Sequence, residues 1–150
     1  MTHSVIKILE KYLSKYGWSF KKVSEKTIIS GWQGQHRCFP LVISYCDTWI
    51  SFEVNPLLKL EIDWEFWPEL TAFALNLNAS SRMIRLSMTE EGTLSLLLDI
   101  FSANLNFQDF SDALGVLGYY ADYFYEEMTN KLDRVGFPDI DSLPSSLATN

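Results

Sequence analysis

Thr27 to Asn55 reads TIISGWQGQHRCFPLVISYCDTWISFEVN. The stretch is dense in β-branched and aromatic residues, and polar clusters break it at Gly31–Gln35 and Cys46–Thr48. That pattern belongs to paired antiparallel strands and not to a helix. Phe39, Leu41, Ile43 and Tyr45 share one face of a strand, with Cys38, Val42 and Ser44 on the other. After a turn at Asp47-Thr48, Ile50, Phe52 and Val54 point together. Pro40 removes a ladder donor, so an edge or a bulge is expected there. Gly31 and Gly34 suggest a bulge or turn at the end of the preceding strand.

Helical patterns lie on both sides of this stretch. Val5, Ile8, Leu9, Tyr12, Leu13 and Tyr16 form one apolar stripe, with Lys7, Glu10, Lys11, Ser14 and Lys15 opposite. A helix over about 3–16 follows, stopped by Gly17 in a left-handed conformation. Trp18–Val23 and Lys26–Gln33 read as the first two strands. Asn55-Pro56 opens an irregular connection up to the acidic and aromatic segment Glu61–Trp67. A second helix spans about 65–78, with Pro68 in its first turn and a stripe of Leu70, Phe73, Ala74 and Leu77. Arg82–Met88 and Thr93–Ile100 alternate as a hairpin turned at Glu91-Gly92. The longest helix runs from about Phe107 to Arg134, with Asn106 as its N-cap and Gly136 as its stop. The expected fold is α+β: an antiparallel twisted sheet flanked by helices, in the order α-β-β-β-β-α-β-β-α. Residues 1–136 form one domain, and 137–150, with two prolines and several serines, a loosely ordered tail.

Composition excludes several functions. The chain has 150 residues, 47% apolar, which is enough for one core without staples. Acidic residues outnumber basic ones 19 to 12, giving a formal charge of −7. A nucleic-acid surface needs clustered lysine and arginine, so none is expected. No apolar run reaches the roughly 18 residues of a membrane span, and the N-terminus lacks signal-peptide features. Cys38 and Cys46 on one extended strand stand about 26 Å apart, beyond disulfide reach. Two free thiols fit a reducing compartment, so a cytoplasmic location is expected.

Chemistry-bearing residues are sparse. His36 and Cys38 share a strand face, but zinc needs three or four ligands and the only other histidine is His3. Glu61, Asp63, Glu65 and Glu69 favour the positive end of a helix dipole and lack a calcium-loop glycine pattern. No phosphate loop, nucleophile elbow or dinucleotide fingerprint occurs. The expectation is therefore no catalytic residue, no metal site and no cofactor. The five tryptophans are Trp18, Trp32, Trp49, Trp64 and Trp67. Trp49 is out of phase with Ile50, Phe52 and Val54, while Trp64 and Trp67 cannot both face one core. These three are the candidate partner-binding residues. Gly115 and Gly118 sit mid-helix, where each costs about 1 kcal/mol against alanine. Close packing within the chain would explain them, as would the approach of another element.

The order of elements resembles the YbjN family, which is assigned to bacterial sensory-transduction regulation and has the fold of type III secretion chaperones. The likeness spans about residues 4 to 134. It rests on Val5–Trp18 (VIKILEKYLSKYGW), the strand pair Phe39–Val54, and Leu70–Asn78 (LTAFALNLN) followed by Arg82–Leu86. Glu61–Trp67, with its two tryptophans, departs from the family pattern. The resemblance implies a domain that binds a protein or peptide, is often a homodimer, and catalyses nothing. A chaperone-like or adaptor function is the first expectation. A small-molecule-sensing regulatory domain, with its ligand between the long helix and the sheet, is the alternative.

Overall fold

A computed structural model describes residues 2–61 and 63–135. Helix α1 (Thr2–Tyr16) leads into four strands: β1 (Lys21–Ser24), β2 (Thr27–Gln33), β3 (Cys38–Tyr45) and β4 (Trp49–Lys59). A single 3-10 turn (Trp64–Phe66) precedes helix α2 (Trp67–Ser80). The hairpin β5 (Ile84–Met88) and β6 (Thr93–Phe101) follows, and helix α3 (Phe107–Val135) comes last. The expected order of elements stands. The expected helix stop at Gly136 and the tail at 137–150 lie outside the described residues.

All six strands join one antiparallel sheet in the order β1-β2-β3-β4-β6-β5. Period-two alternation gives each strand an inner and an outer face. The inner residues include Ile28, Trp32, Phe39, Leu41, Ile43, Ile50, Phe52, Val54, Leu96 and Leu98, all buried. Ile6, Leu9 and Leu13 of α1, Leu70, Ala74 and Leu77 of α2, and Phe110, Leu117, Phe124 and Met128 of α3 complete the same core. The three helices thus form one layer against one face of the sheet, a two-layer arrangement with one core. The α1 stripe is rotated from its expected position, because Ile6 is buried and Ile8 is only half-buried.

Aromatic contacts tie α1 to α3. Tyr12 stands 5.5 Å from Phe107 and 5.6 Å from Phe110, and the Lys15 ammonium lies 4.1 Å above the Phe107 ring. Trp18 and Trp32 stack at 5.4 Å under the end of α1. The ends of the helices are chemically defined. Gly17 has φ +90° and donates to Leu13 O at 3.0 Å, closing α1. Asn106 Oδ1 accepts from the Asp109 N–H at 2.8 Å, capping α3.

Pro40 sits where an edge is expected: it pairs with Gly31 of β2, but pairing with β4 begins only at Leu41↔Val54, so this part of β3 is a local edge on the β4 side. Two other local expectations need correction. Gly31 is a regular strand residue opposite Pro40, and the chain turns only after Gln33. The strand does not stop at Asn55-Pro56. β4 runs on to Lys59 with a register irregularity between Val54 and Leu58, which absorbs the proline without ending the pairing with β6.

Candidate partner-binding surface

The outer face of the sheet is the surface that the helix layer leaves uncovered. Cross-strand register lines up Lys21, Ile29, Val42, Glu53, Leu97 and Arg85 in one row across all six strands. The next row holds Thr27, Ser44, Ser51 and Asp99. Trp49 and Phe101 end the surface as a directly opposed pair. Their rings stack at 4.4 Å with an interplanar angle of 24°. Trp49 is 40% exposed and Phe101 63%, so each ring covers part of the other and the pair still faces water.

Asp99 lies one row in from this pair. Its Oδ2 bonds Arg85 Nη2 at 2.9 Å, while its Oδ1 is buried and receives no hydrogen bond. A desolvated carboxylate oxygen without a donor is uncommon in a native fold. The outer face therefore combines an exposed aromatic pair, the apolar side chains Ile29, Val42 and Leu97, and one unmet acceptor.

Both edges of the sheet are guarded. Asn78 of α2 bonds the β5 backbone at Leu86 in both directions: Oδ1 accepts from N–H at 2.6 Å, and Nδ2 donates to C=O at 3.2 Å. At the opposite edge, β1 is four residues long, fully exposed and carries Lys21 and Lys22. Short charged edge strands resist pairing with another chain.

The three candidate tryptophans do not converge. Trp49 faces outward, as its phase implies. Trp67 is half-buried at the other end of β6, where a Cβ at Gly92 would come within 3.2 Å of its ring. Thr93 and Phe101 mark the ends of β6, about 26 Å apart at strand rise. Trp64 is 79% exposed in the 3-10 turn. Sequence reasoning missed Phe101, although its signal was present: Leu94, Leu96, Leu98 and Ile100 point inward, so Phe101 must point out.

The remaining candidates separate. Cys38 is buried and its thiol donates to Gln33 Oε1 at 2.7 Å, whereas His36 is exposed with Nε2 3.7 Å from Glu126 Oε2. Glu69 pairs with Lys131 of α3, at 2.6 Å. No group of three or more His, Cys, Asp or Glu residues that could hold a metal occurs among the described residues. No described helix is long and apolar enough to cross a membrane.

No protein-family model matches this sequence, and no curated protein matches it. The solved structures that share its fold include these three. A chain of the ExsC–ExsE complex is 14% identical with a TM-score of 0.60, over 84% of this chain and 94% of that one. YbjN from E. coli, named as a candidate transcription regulator, is 16% identical with a TM-score of 0.60, over 93% and 96%. A chain of the heterodimeric ExoU–SpcU complex from the type III secretion system of Pseudomonas aeruginosa is 14% identical with a TM-score of 0.53, over 78% and 94%. The fold is thus the one shared by YbjN and the type III secretion chaperones, as the sequence resemblance implies.

Proposed function

We propose that this chain is a non-enzymatic protein-binding domain, chaperone-like or adaptor in kind, with a regulatory role in bacterial signalling. The observation that carries the reading is the uncovered sheet face ending in the exposed Trp49–Phe101 stack. Large aromatic rings with one face in water are the residues that protein interfaces use as anchors. Two of the structures with this fold are protein–protein complexes, which supports the same reading. Because both sheet edges are guarded, contact through the face is favoured over addition of a strand. Homodimerisation is proposed by analogy of fold, and light scattering at micromolar concentration should give twice the chain mass.

A ligand between α3 and the sheet is disfavoured by the packing there. Phe52, Phe110 and Phe124 are fully buried in that layer, where the alternative reading needs space and converging polar groups.

The test is capture of stoichiometric polypeptides by the tagged chain from its native cells, repeated with Trp49→Ala. The exposed stack contributes about 0.5–1.5 kcal/mol to the fold. The variant should therefore remain folded by circular dichroism and lose the partner. Equal capture by the folded variant would remove Trp49 from the binding surface.

A further inference from the structure

Helix α3 carries two glycines that nothing inside the molecule requires. A Cβ added at Gly115 or at Gly118 would find no atom within 4 Å. Close packing within the chain, one of the two readings open from sequence, does not account for either. Above Gly118 the surface holds a cavity of about 260 Å³, lined by Gln35, Gly118, Tyr119, Asp122, Tyr123 and Glu126. Five of these six residues fall on one side of α3 at helical spacing. The sixth, Gln35, comes from the β2–β3 loop and its N–H donates to Asp122 Oδ1 at 2.8 Å. A side chain at position 118 would enter the cavity.

The lining has a definite chemistry. The Tyr119 and Tyr123 rings are 9° from parallel with centroids 6.2 Å apart, and are 67% and 37% exposed. Asp122 and Glu126 stand one helical turn apart beside them, and no lysine or arginine lines the space. His36 approaches Glu126 at the rim, at 3.7 Å. The volume falls below the roughly 300 Å³ at which small-molecule pockets begin, and suits one long side chain. A flat cation that stacks on phenol rings and donates several hydrogen bonds to carboxylates meets every feature of this lining. Guanidinium has that shape, whereas ammonium is a compact and strongly hydrated point charge. The chain's formal charge of −7 favours a basic ligand in the same sense.

We propose that this pocket receives an arginine side chain of a partner polypeptide, with Asp122 and Glu126 as the carboxylates and Tyr119 and Tyr123 as the stacking faces. This rests on the partner-binding reading and adds a second contact, on the helix layer. Glycine at 118 keeps the cavity open.

The experiment is a ¹H–¹⁵N NMR titration of the full chain with N-acetyl-arginine amide, its citrulline analogue and N-acetyl-lysine amide. The arginine compound should shift the amides of Gly118, Tyr119, Asp122 and Tyr123. The uncharged citrulline analogue should leave them in place, and the lysine compound should bind more weakly. Glu126→Gln should weaken arginine binding by about tenfold or more, the worth of a charge-assisted hydrogen bond. Gly118→Leu should abolish the shifts while raising the melting temperature. Gly115→Leu should raise the melting temperature and leave the titration unchanged. Absence of shifts with the arginine compound overturns the proposal, as does equal binding of citrulline or lysine, or binding that survives Gly118→Leu. Because the titrant is a single amino-acid derivative, a failed titration leaves capture through Trp49 untouched. A failed capture, conversely, leaves the titration result standing.

Discussion

Gly34 and Gly115 are the same residue held for opposite reasons. A Cβ at Gly34 would overlap the Phe39 ring and sit 2.6 Å from Asp122 Oδ1, so the β2–β3 loop can lie against α3 only without a side chain there. At Gly115 the space is open. Gly34→Ala should therefore destabilise by about 1–3 kcal/mol, as overpacking does. Gly115→Ala should stabilise by up to about 1 kcal/mol through helix propensity. Urea unfolding of the two variants reads both signs, and equal signs would contradict this account. Arg37 offers a second residue-level test. It is 4% exposed, donates Nη1 to Leu57 O at 3.2 Å, lies over the Tyr125 ring, and leaves Nη2 without a partner. Among the described residues no carboxylate pairs with this buried cation, so its volume matters more than its charge. Arg37→Met should change stability by less than about 1.5 kcal/mol, whereas Arg37→Ala should cost about 2–5 kcal/mol by leaving a cavity. Neither the crowding at Gly34 nor the burial of Arg37 can be read from sequence, because both arise from residues distant in the chain: Asp122 lies against Gly34, and Leu57 and Tyr125 lie against Arg37.

Element boundaries were legible where local chemistry decides them. Gly17, Asn106 and Gly92 each act through their own backbone or side chain, and each stands where the sequence places it. The strand through Asn55-Pro56 was not legible, because a proline normally ends a strand and only pairing with the distant β6 carries it further. Asn78 lies between these cases. As the last residue of the Leu70–Asn78 stretch (LTAFALNLN) it was visible as part of a pattern, but its work is tertiary: it fills the edge of β5 at Leu86 from outside the sheet. Removing it leaves both a backbone donor and a backbone acceptor unmet. Asn78→Ala should cost about 1–3 kcal/mol by urea unfolding. The variant should also self-associate with rising concentration through the uncovered edge, which sedimentation velocity would detect. A stability equal to that of the parent chain would mean that water replaces the amide at no cost.

At the scale of the whole molecule, the two proposed contacts lie on opposite sides of a two-layer body. Trp49 and Phe101 face out from the sheet, and Tyr119 and Tyr123 face out from the helix that covers its other side. A sheet and a helix layer together are on the order of 15–20 Å thick. One polypeptide that reaches both surfaces must pass around the rim. At no more than about 3.6 Å per residue, crossing that thickness alone takes at least about five extended residues between its two anchors. Contacts this far apart share no neighbours, so their free energies should add to within about 0.5 kcal/mol. For a captured partner, Trp49→Ala and Tyr119→Ala should each weaken binding, and the double variant should show the product of the two effects. Truncating the partner to a segment shorter than that span should leave it sensitive to one substitution and indifferent to the other. Isothermal titration of the four proteins against the full and the shortened partner measures all of this. Sensitivity of a short segment to both substitutions would show that the two surfaces are not engaged from opposite sides by one chain, and the wrapped arrangement would fall.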